Sequence, residues 1–338
     1  MHPIEYPVVP EMKNLRKIAT PYSFSETAGV VQRNILGMDH RNHGAAMEFL
    51  PNQCSINPVT SVDTRIAFFG DIMSVGRRRV IIHESVYNFL YGCDYLVANL
   101  EANITRQRRR KGVIIGAFQW QDDYMVDVMA DLFPPAATYL SVANNHAGDF
   151  EKRYYLQSCS LLEERGFVLF GQGERPYVDI TPRIRLHAGT MWSNQICNRV
   201  HWLGSGKEID LMEHGSNILF PHWGYELEKY PRPEIVNLAK SLSRNFDAIL
   251  GHHPHTVQPV IREPGRDKNC LVAYSLGDFC TNIPFGSYRY GIIAKIETGP
   301  VSRGDYAVGN IDWRFIESRR QAGNNIIIRV VDEVPYFC

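Results

Sequence analysis

From Arg65 onward the chain is punctuated by short apolar runs, and most of them end in residues that can do chemistry. The runs are Ile66-Ala67-Phe68-Phe69, Tyr95-Leu96-Val97-Ala98, Tyr139-Leu140-Ser141-Val142-Ala143, Phe167-Val168-Leu169-Phe170, Ile218-Leu219-Phe220, Ala248-Ile249-Leu250 and Leu271-Val272-Ala273-Tyr274. Apolar runs this short and continuous suit strands buried on both faces. Helical patterns fall between them. Pro231-Arg232-Pro233-Glu234 opens one helix with prolines and an acid. Its apolar positions Ile235, Leu238, Ala239 and Leu242 then follow the i, i+3, i+4, i+7 spacing of one helix face. Residues 149–164 behave similarly, with Tyr154, Leu161 and Leu162 on a stripe and Gly166 as a stop. Strand and helix in alternation predict an α/β fold.

After residue 284 the text becomes strand-rich, at 290–296, 311–316 and 326–331, as a second sheet or an added edge. The expected architecture is a two-sheet sandwich flanked by helices. Residues 1–62 read as an irregular N-terminal extension, a tail or wrapping arm, with four prolines before residue 22. The remainder, 63–338, reads as one domain, with a motif core at 64–285 and a strand-rich part at 286–338.

With 338 residues, 44% of them hydrophobic, the chain can bury a sizeable core. Lys plus Arg and Asp plus Glu both number 36, so the net charge is zero. That balance argues against a nucleic-acid partner held by global charge, and any anion site must be local. No stretch approaches ~18 consecutive apolar residues, so no integral membrane segment is expected. The start, Met1-His2-Pro3-Ile4-Glu5, lacks the pattern of a secretory signal. Seven scattered cysteines without a C-x-x-C pair read as reduced thiols of a cytoplasmic protein. The oligomeric state is not legible.

In an open α/β sheet, ligands bind beyond the carboxyl ends of the strands. Here those ends carry Gly70-Asp71, Asn99-Leu100-Glu101, Asn144-Asn145-His146, Pro221-His222-Trp223-Gly224 and Gly251-His252-His253-Pro254-His255. Alone, Asp71 reads as a helix cap, Glu101 as a loop acid, Asn145 as a turn residue and His222 as a core histidine. Together they offer carboxylates, a carboxamide and imidazoles at one edge. That mixture suits a divalent transition metal, Mn, Zn or Fe. A carboxylate able to bridge suits two ions ~3.5–4 Å apart, so one or two ions are expected.

These segments, with Gly70-Asp71-Ile72-Met73, His222-Trp223-Gly224-Tyr225-Glu226 and Ser275-Leu276-Gly277-Asp278-Phe279, occur in an order that resembles the CapA family of poly-gamma-glutamate capsule synthesis proteins. That family is similar in fold to the calcineurin-like metallophosphoesterases, and the resemblance covers about residues 64–285. It implies that Asp71, Glu101 (as the bridging carboxylate), Asn145, His222, His253 and His255 hold metal. It implies that His146 sits over the leaving group as a general acid, and that His252 is an extra histidine supporting or packing against the ligands. Asp149 either orients His146 or caps the following helix. One departure is clear: the metallophosphoesterase D-x-H motif has Met73 at its third position, and a thioether is a poor ligand for such cations.

Two basic runs follow the metal segments, Arg77-Arg78-Arg79 and Arg106, Arg108, Arg109 and Arg110. They are either solvated loops or a cleft rim. The second run is expected to bind the anionic part of a substrate, since the guanidinium fork matches carboxylate and phosphate. The expected function is a metal-dependent hydrolase or transferase acting on a phosphoester or a poly-gamma-glutamate-type polymer through metal-activated water. The alternative is a non-catalytic scaffold or polymer-binding subunit of capsule synthesis.

Overall fold

The computed structural model describes residues 20–43, 47–105, 118–195, 197–204, 209–283, 286–302 and 304–335. Two sheets dominate. In the larger, four of the anticipated apolar runs lie side by side as parallel strands: β2 (Thr64–Ile72), β4 (Tyr95–Leu100), β7 (Thr138–Ser141) and β8 (Val168–Phe170). In the smaller, the other three runs do the same. There β10 (Ile184–Thr190), β11 (Ser216–His222), β12 (Ala248–Leu250) and β14 (Asn269–Ala273) are parallel, with β9 (Tyr177–Thr181) and β13 (Val260–Pro264) as antiparallel edges.

The strand-rich C-terminal part is an added edge rather than a second sheet. β16 (Tyr290–Pro300) pairs antiparallel with β2, followed by β17 (Tyr306–Gln321), β18 (Asn325–Val331) and β3 (Arg79–Ile82). Short β1 (Gln53–Ser55) and β15 (Asp278–Cys280) join β17 and β2, and β5 (Asn103–Ile104) pairs with β6 (Trp120–Gln121) outside both sheets.

Side-chain alternation along each strand builds the layers. In β11, Ile218 and Phe220 face the core shared with the larger sheet, and the Phe68 and Phe220 rings lie 5.8 Å apart. Leu219 points the other way and packs with Ile235, Val236, Ala239 and Leu242 of α5 (Pro233–Leu242). Met125, Val126 and Met129 of α3 (Tyr124–Leu132) and Tyr155, Cys159 and Leu162 of α4 (Lys152–Glu164) join the larger cluster, as do Val86 and Leu90 of α2 (Glu84–Leu90). The result is the expected α/β two-sheet sandwich flanked by helices.

The N-terminal segment differs from expectation. Residues 24–36, anticipated as irregular, form helix α1 (Phe24–Leu36), whose Ser23 Oγ accepts a hydrogen bond from the Glu26 backbone N–H at 3.3 Å. Arg33 binds Glu26 at 2.7 Å and Glu228 at 3.3 Å, and Arg232 binds both carboxylates, straddling α1 and the loop after β11. Asp39 adds backbone bonds to Leu227 and Lys229, each 2.8 Å. The arm is therefore strapped to the segment that follows His222.

Candidate metal centre

The carboxyl ends of β2, β4, β7, β11 and β12 converge. Two glycines permit the approach. A Cβ on Gly70 would lie 1.8 Å from the Gly277 carbonyl oxygen, so only glycine lets β2 bring Asp71 against the Gly277-Asp278 turn. A Cβ on Gly251 would lie 2.2 Å from Trp223 Nε1, so glycine also lets the histidine loop pass the buried Trp223 indole. Within that loop His253 and His255 have φ of +102° and +55°. Left-handed backbone at two non-glycine residues is strain of the kind held at functional sites.

Asp71, Glu101, His222, His252, His253, His255 and Asp278 are all buried. Glu101 is the hub. His222 Nε2 and His255 Nε2 each lie 3.7 Å from its Oε1, and His146 Nε2 lies 3.8 Å away. Asp71 accepts from the Asn99 amide at 2.7 Å and from the His253 backbone N–H at 2.9 Å. His252 Nδ1 lies 3.0 Å from Asp71 Oδ1 and 2.8 Å from His222 Nδ1, so the extra histidine supports both. His222 Nε2 and Asn145 Oδ1 are 2.9 Å apart, and Asn145 donates to Asn194 Oδ1 at 3.2 Å.

His146 Nδ1 meets Asp149 Oδ2 at 2.6 Å, and that oxygen also accepts the Gln119 N–H at 2.9 Å. The helix after Asp149 has Glu151 at its N-cap. Of the two roles open for Asp149, the structure thus has it bonded to His146 and not capping α4.

Burial sets the electrostatics. It pushes the Glu101 carboxyl well above the usual carboxylate range, and the Asp71 charge adds to the effect. It pushes Asp278 up to about 7. Burial opposes ionisation of Asp71 too, but His252, His255 and the Asn99 amide outweigh it and hold that carboxyl at about 2. His222 and His253 are held well below the usual imidazole range by burial and by the surrounding imidazoles, so they are neutral. Burial opposes a charged His255, yet Glu101, Asp278 and Asp71 together raise it well above that range.

Such a site fits a cation. Both Glu101 oxygens, Asp278 Oδ2, His253 Nδ1 and His252 Nε2 are buried without hydrogen-bond partners. Buried polar atoms are ordinarily paired, so the unpaired Glu101, Asp278 and His253 atoms are donors that could hold a cation. Among the described residues, three sets bring donor atoms within 4.8 Å of one another: Asp71, His222 and His252; Glu101, His253 and His255; Asp71, His255 and Asp278. Mixed carboxylate and neutral imidazole donors suit a borderline divalent metal. Met73 packs instead with Met38, Leu227 and Tyr288 in a small apolar cluster.

Sequence reasoning gave no role to Asp278, whose Oδ1 lies 2.8 Å from His255 Nδ1, or to Tyr22, whose hydroxyl lies 2.6 Å from His253 Nε2. Arg106, Arg108, Arg109 and Arg110 lie outside the described residues. In the other basic run Arg78 binds Asn282, a structural contact. Trp223 is core, its Nε1 donating to the Tyr274 carbonyl at 2.9 Å.

Residues 207–283 match the family described as bacterial capsule synthesis protein PGA_cap. That stretch contains His222, the histidine loop and Asp278. The PGA biosynthesis protein CapA of Bacillus subtilis (strain 168) is 22% identical over 276 residues, 73% of this chain and 70% of that one. Over these stretches the chain is similar to CapA. Asp71, Glu101, Asn145 and His146 lie outside the 207–283 stretch, so the fold, not one local motif, assembles the cluster.

Two solved structures are also similar to the CapA-like chain. One is a hypothetical protein from Thermus thermophilus, with 14% identity, covering 75% of this chain and 99% of that one at a TM-score of 0.44. The other is a novel phosphatase from Mycoplasma pneumoniae, with 12% identity, 82% and 97% coverage and a TM-score of 0.43. Likenesses that loose carry no argument about the site. Six cysteines, Cys54, Cys93, Cys159, Cys197, Cys270 and Cys280, are free thiols, and among the described residues no helix is long and apolar enough to cross a membrane.

Proposed function

We propose that this CapA-like chain is a metal-dependent hydrolase or transferase, metallophosphoesterase-like in chemistry, acting on a phosphoester or an anionic polymer of the poly-gamma-glutamate kind. The observation that carries the reading is Glu101: a buried carboxylate with both oxygens unpartnered and three imidazole nitrogens within 3.8 Å. Asp71, Glu101, Asn145, His222, His253 and His255 would hold one or two ions of Mn, Zn or Fe. Metal there would supply a nucleophilic hydroxide near neutral pH and polarise the bond to be cleaved.

The chain's own residues supply the proton. His146, paired with Asp149, keeps Nε2 turned toward the carboxylate cluster. The Asp149 carboxylate fixes the tautomer that carries a proton on Nδ1. Protonated at Nε2, His146 can donate to a leaving oxygen or nitrogen. The anionic part of the substrate is assigned to Arg106, Arg108, Arg109 and Arg110 on sequence position alone. The polymer assignment follows the name of the Bacillus relative.

A screen of phosphoester and gamma-glutamyl substrates tests the reading. His146→Asn should keep its metal and lower turnover by ~10²–10⁴ on substrates with poor leaving groups. Loss of metal from His146→Asn would make His146 a ligand instead. A second reading, a polymer-binding scaffold that keeps metal for stability, is favoured by Met73 alone. A wild type that binds metal yet turns over nothing in the screen supports it.

A further inference from the structure

We infer that Tyr22, carried on the N-terminal arm, is a positioning residue of the metal centre, holding His253 so that its Nδ1 lone pair faces the cluster. This rests on the metal reading above and extends it to a part of the chain that no motif includes.

The argument begins with His253. Its Nε2 lies 2.6 Å from the Tyr22 hydroxyl, while Nδ1 is buried with no partner. A neutral imidazole has one N–H and one lone pair. If Tyr22 donated to Nε2, the Nδ1 proton would point at nothing, in the interior. If Nε2 donates to the Tyr22 oxygen, Nδ1 is left as a lone pair, the form a ligand needs. A metal-bound histidine ordinarily has its outer ring nitrogen fixed by such a hydrogen bond.

The other histidines around Glu101 follow the same plan. His255 turns Nε2 to Glu101 and Nδ1 to Asp278; His222 turns Nε2 to Glu101 and Nδ1 to His252. Each turns Nε2 toward Glu101 and has Nδ1 held by a second side chain. For His253 the outer partner is Tyr22, 231 positions away in sequence.

Tyr22 is itself held. It is 5% exposed, edge-on to Trp192 at 4.9 Å and stacked on Tyr225 at 6.1 Å. The strap fixes the helix that follows, with Arg33 Nε donating to the Glu226 carbonyl at 2.8 Å.

Cobalt(II) titration of the full chain, read by its visible absorption, tests the inference. Tyr22→Phe keeps the ring and removes the oxygen. Its cobalt affinity should fall about 10–100-fold, while the metal-free protein melts within about 3 °C of wild type. In a His253→Ala background the same change should have no further effect on affinity. Wild-type affinity in Tyr22→Phe would overturn the inference and leave the metal reading standing. An equal loss in the His253→Ala background would also overturn it, since the effect would not pass through His253. A wild type that takes up no cobalt would overturn both readings together.

Discussion

At Glu101 two demands oppose each other. Without a cation, a buried carboxylate with no partner destabilises the fold; with one, it is the centre of the site. Glu101→Met, which replaces both polar oxygens at similar volume, should therefore stabilise the metal-free protein by about 1–3 kcal/mol and abolish the stabilisation given by added metal. Denaturant unfolding with and without Mn or Zn checks both signs. A variant less stable than wild type when metal-free would show that Glu101 has a structural partner. The residues of this cluster were legible because each closes an apolar run, so that sequence position alone puts it at a strand end. Asp278 is less legible: its Ser-Leu-Gly-Asp-Phe segment gives no sign of facing His255. Tyr22 was illegible, because a contact spanning 231 positions leaves no local spacing.

At the scale of elements, strands with continuous apolar runs are legible in the sequence, including β8 at the edge of the larger sheet, whereas β9 and β10 of the smaller sheet are not. β9 has one buried residue, Ile180, among half-buried and exposed ones, and β10 carries Arg185 and His187 among its apolar residues, which breaks the run that marks a buried strand. Helix α1 carries a local signal, Ser23 three residues before Glu26, a capping-box spacing. Phe24, Ile35 and Leu36 are exposed, which blurs its amphipathic pattern. His187 in β10 makes a pH prediction away from the metal. It is buried beside Phe246 and Tyr177, and burial lowers it from 6.5 to about 3. The unfolded chain binds that proton more readily, so this contribution to stability is fully present above about pH 6.5. It is lost at roughly 1.4 kcal/mol per unit as pH falls toward 3. His187→Phe removes it. The variant's stability relative to wild type should rise steadily between pH 6.5 and the acid limit of folding. A gap that stays constant with pH would show that His187 is charged when folded.

Over the whole molecule, the two parallel sets of strands point their carboxyl ends at one place, and the N-terminal arm closes over it. The sequence pattern left open whether the last strands made a second sheet. They extend the first through β16 and β2, because the second is already formed by runs lying between residues 177 and 273. Such a convergence of buried, unpartnered donors could hold a cation, and a ligand that binds only the folded state must stabilise it. The most direct measurement is thermal unfolding of the purified chain alongside its elemental analysis, before chelation, after chelation and after adding back Mn, Zn or Fe. We expect a transition metal in the purified protein, a lower melting temperature after chelation, and recovery on restoring metal. At a free metal concentration ~100 times Kd the gain should be about 2.7 kcal/mol. A protein free of metal as purified, whose melting is unmoved by chelator and by all three ions, would contradict the account.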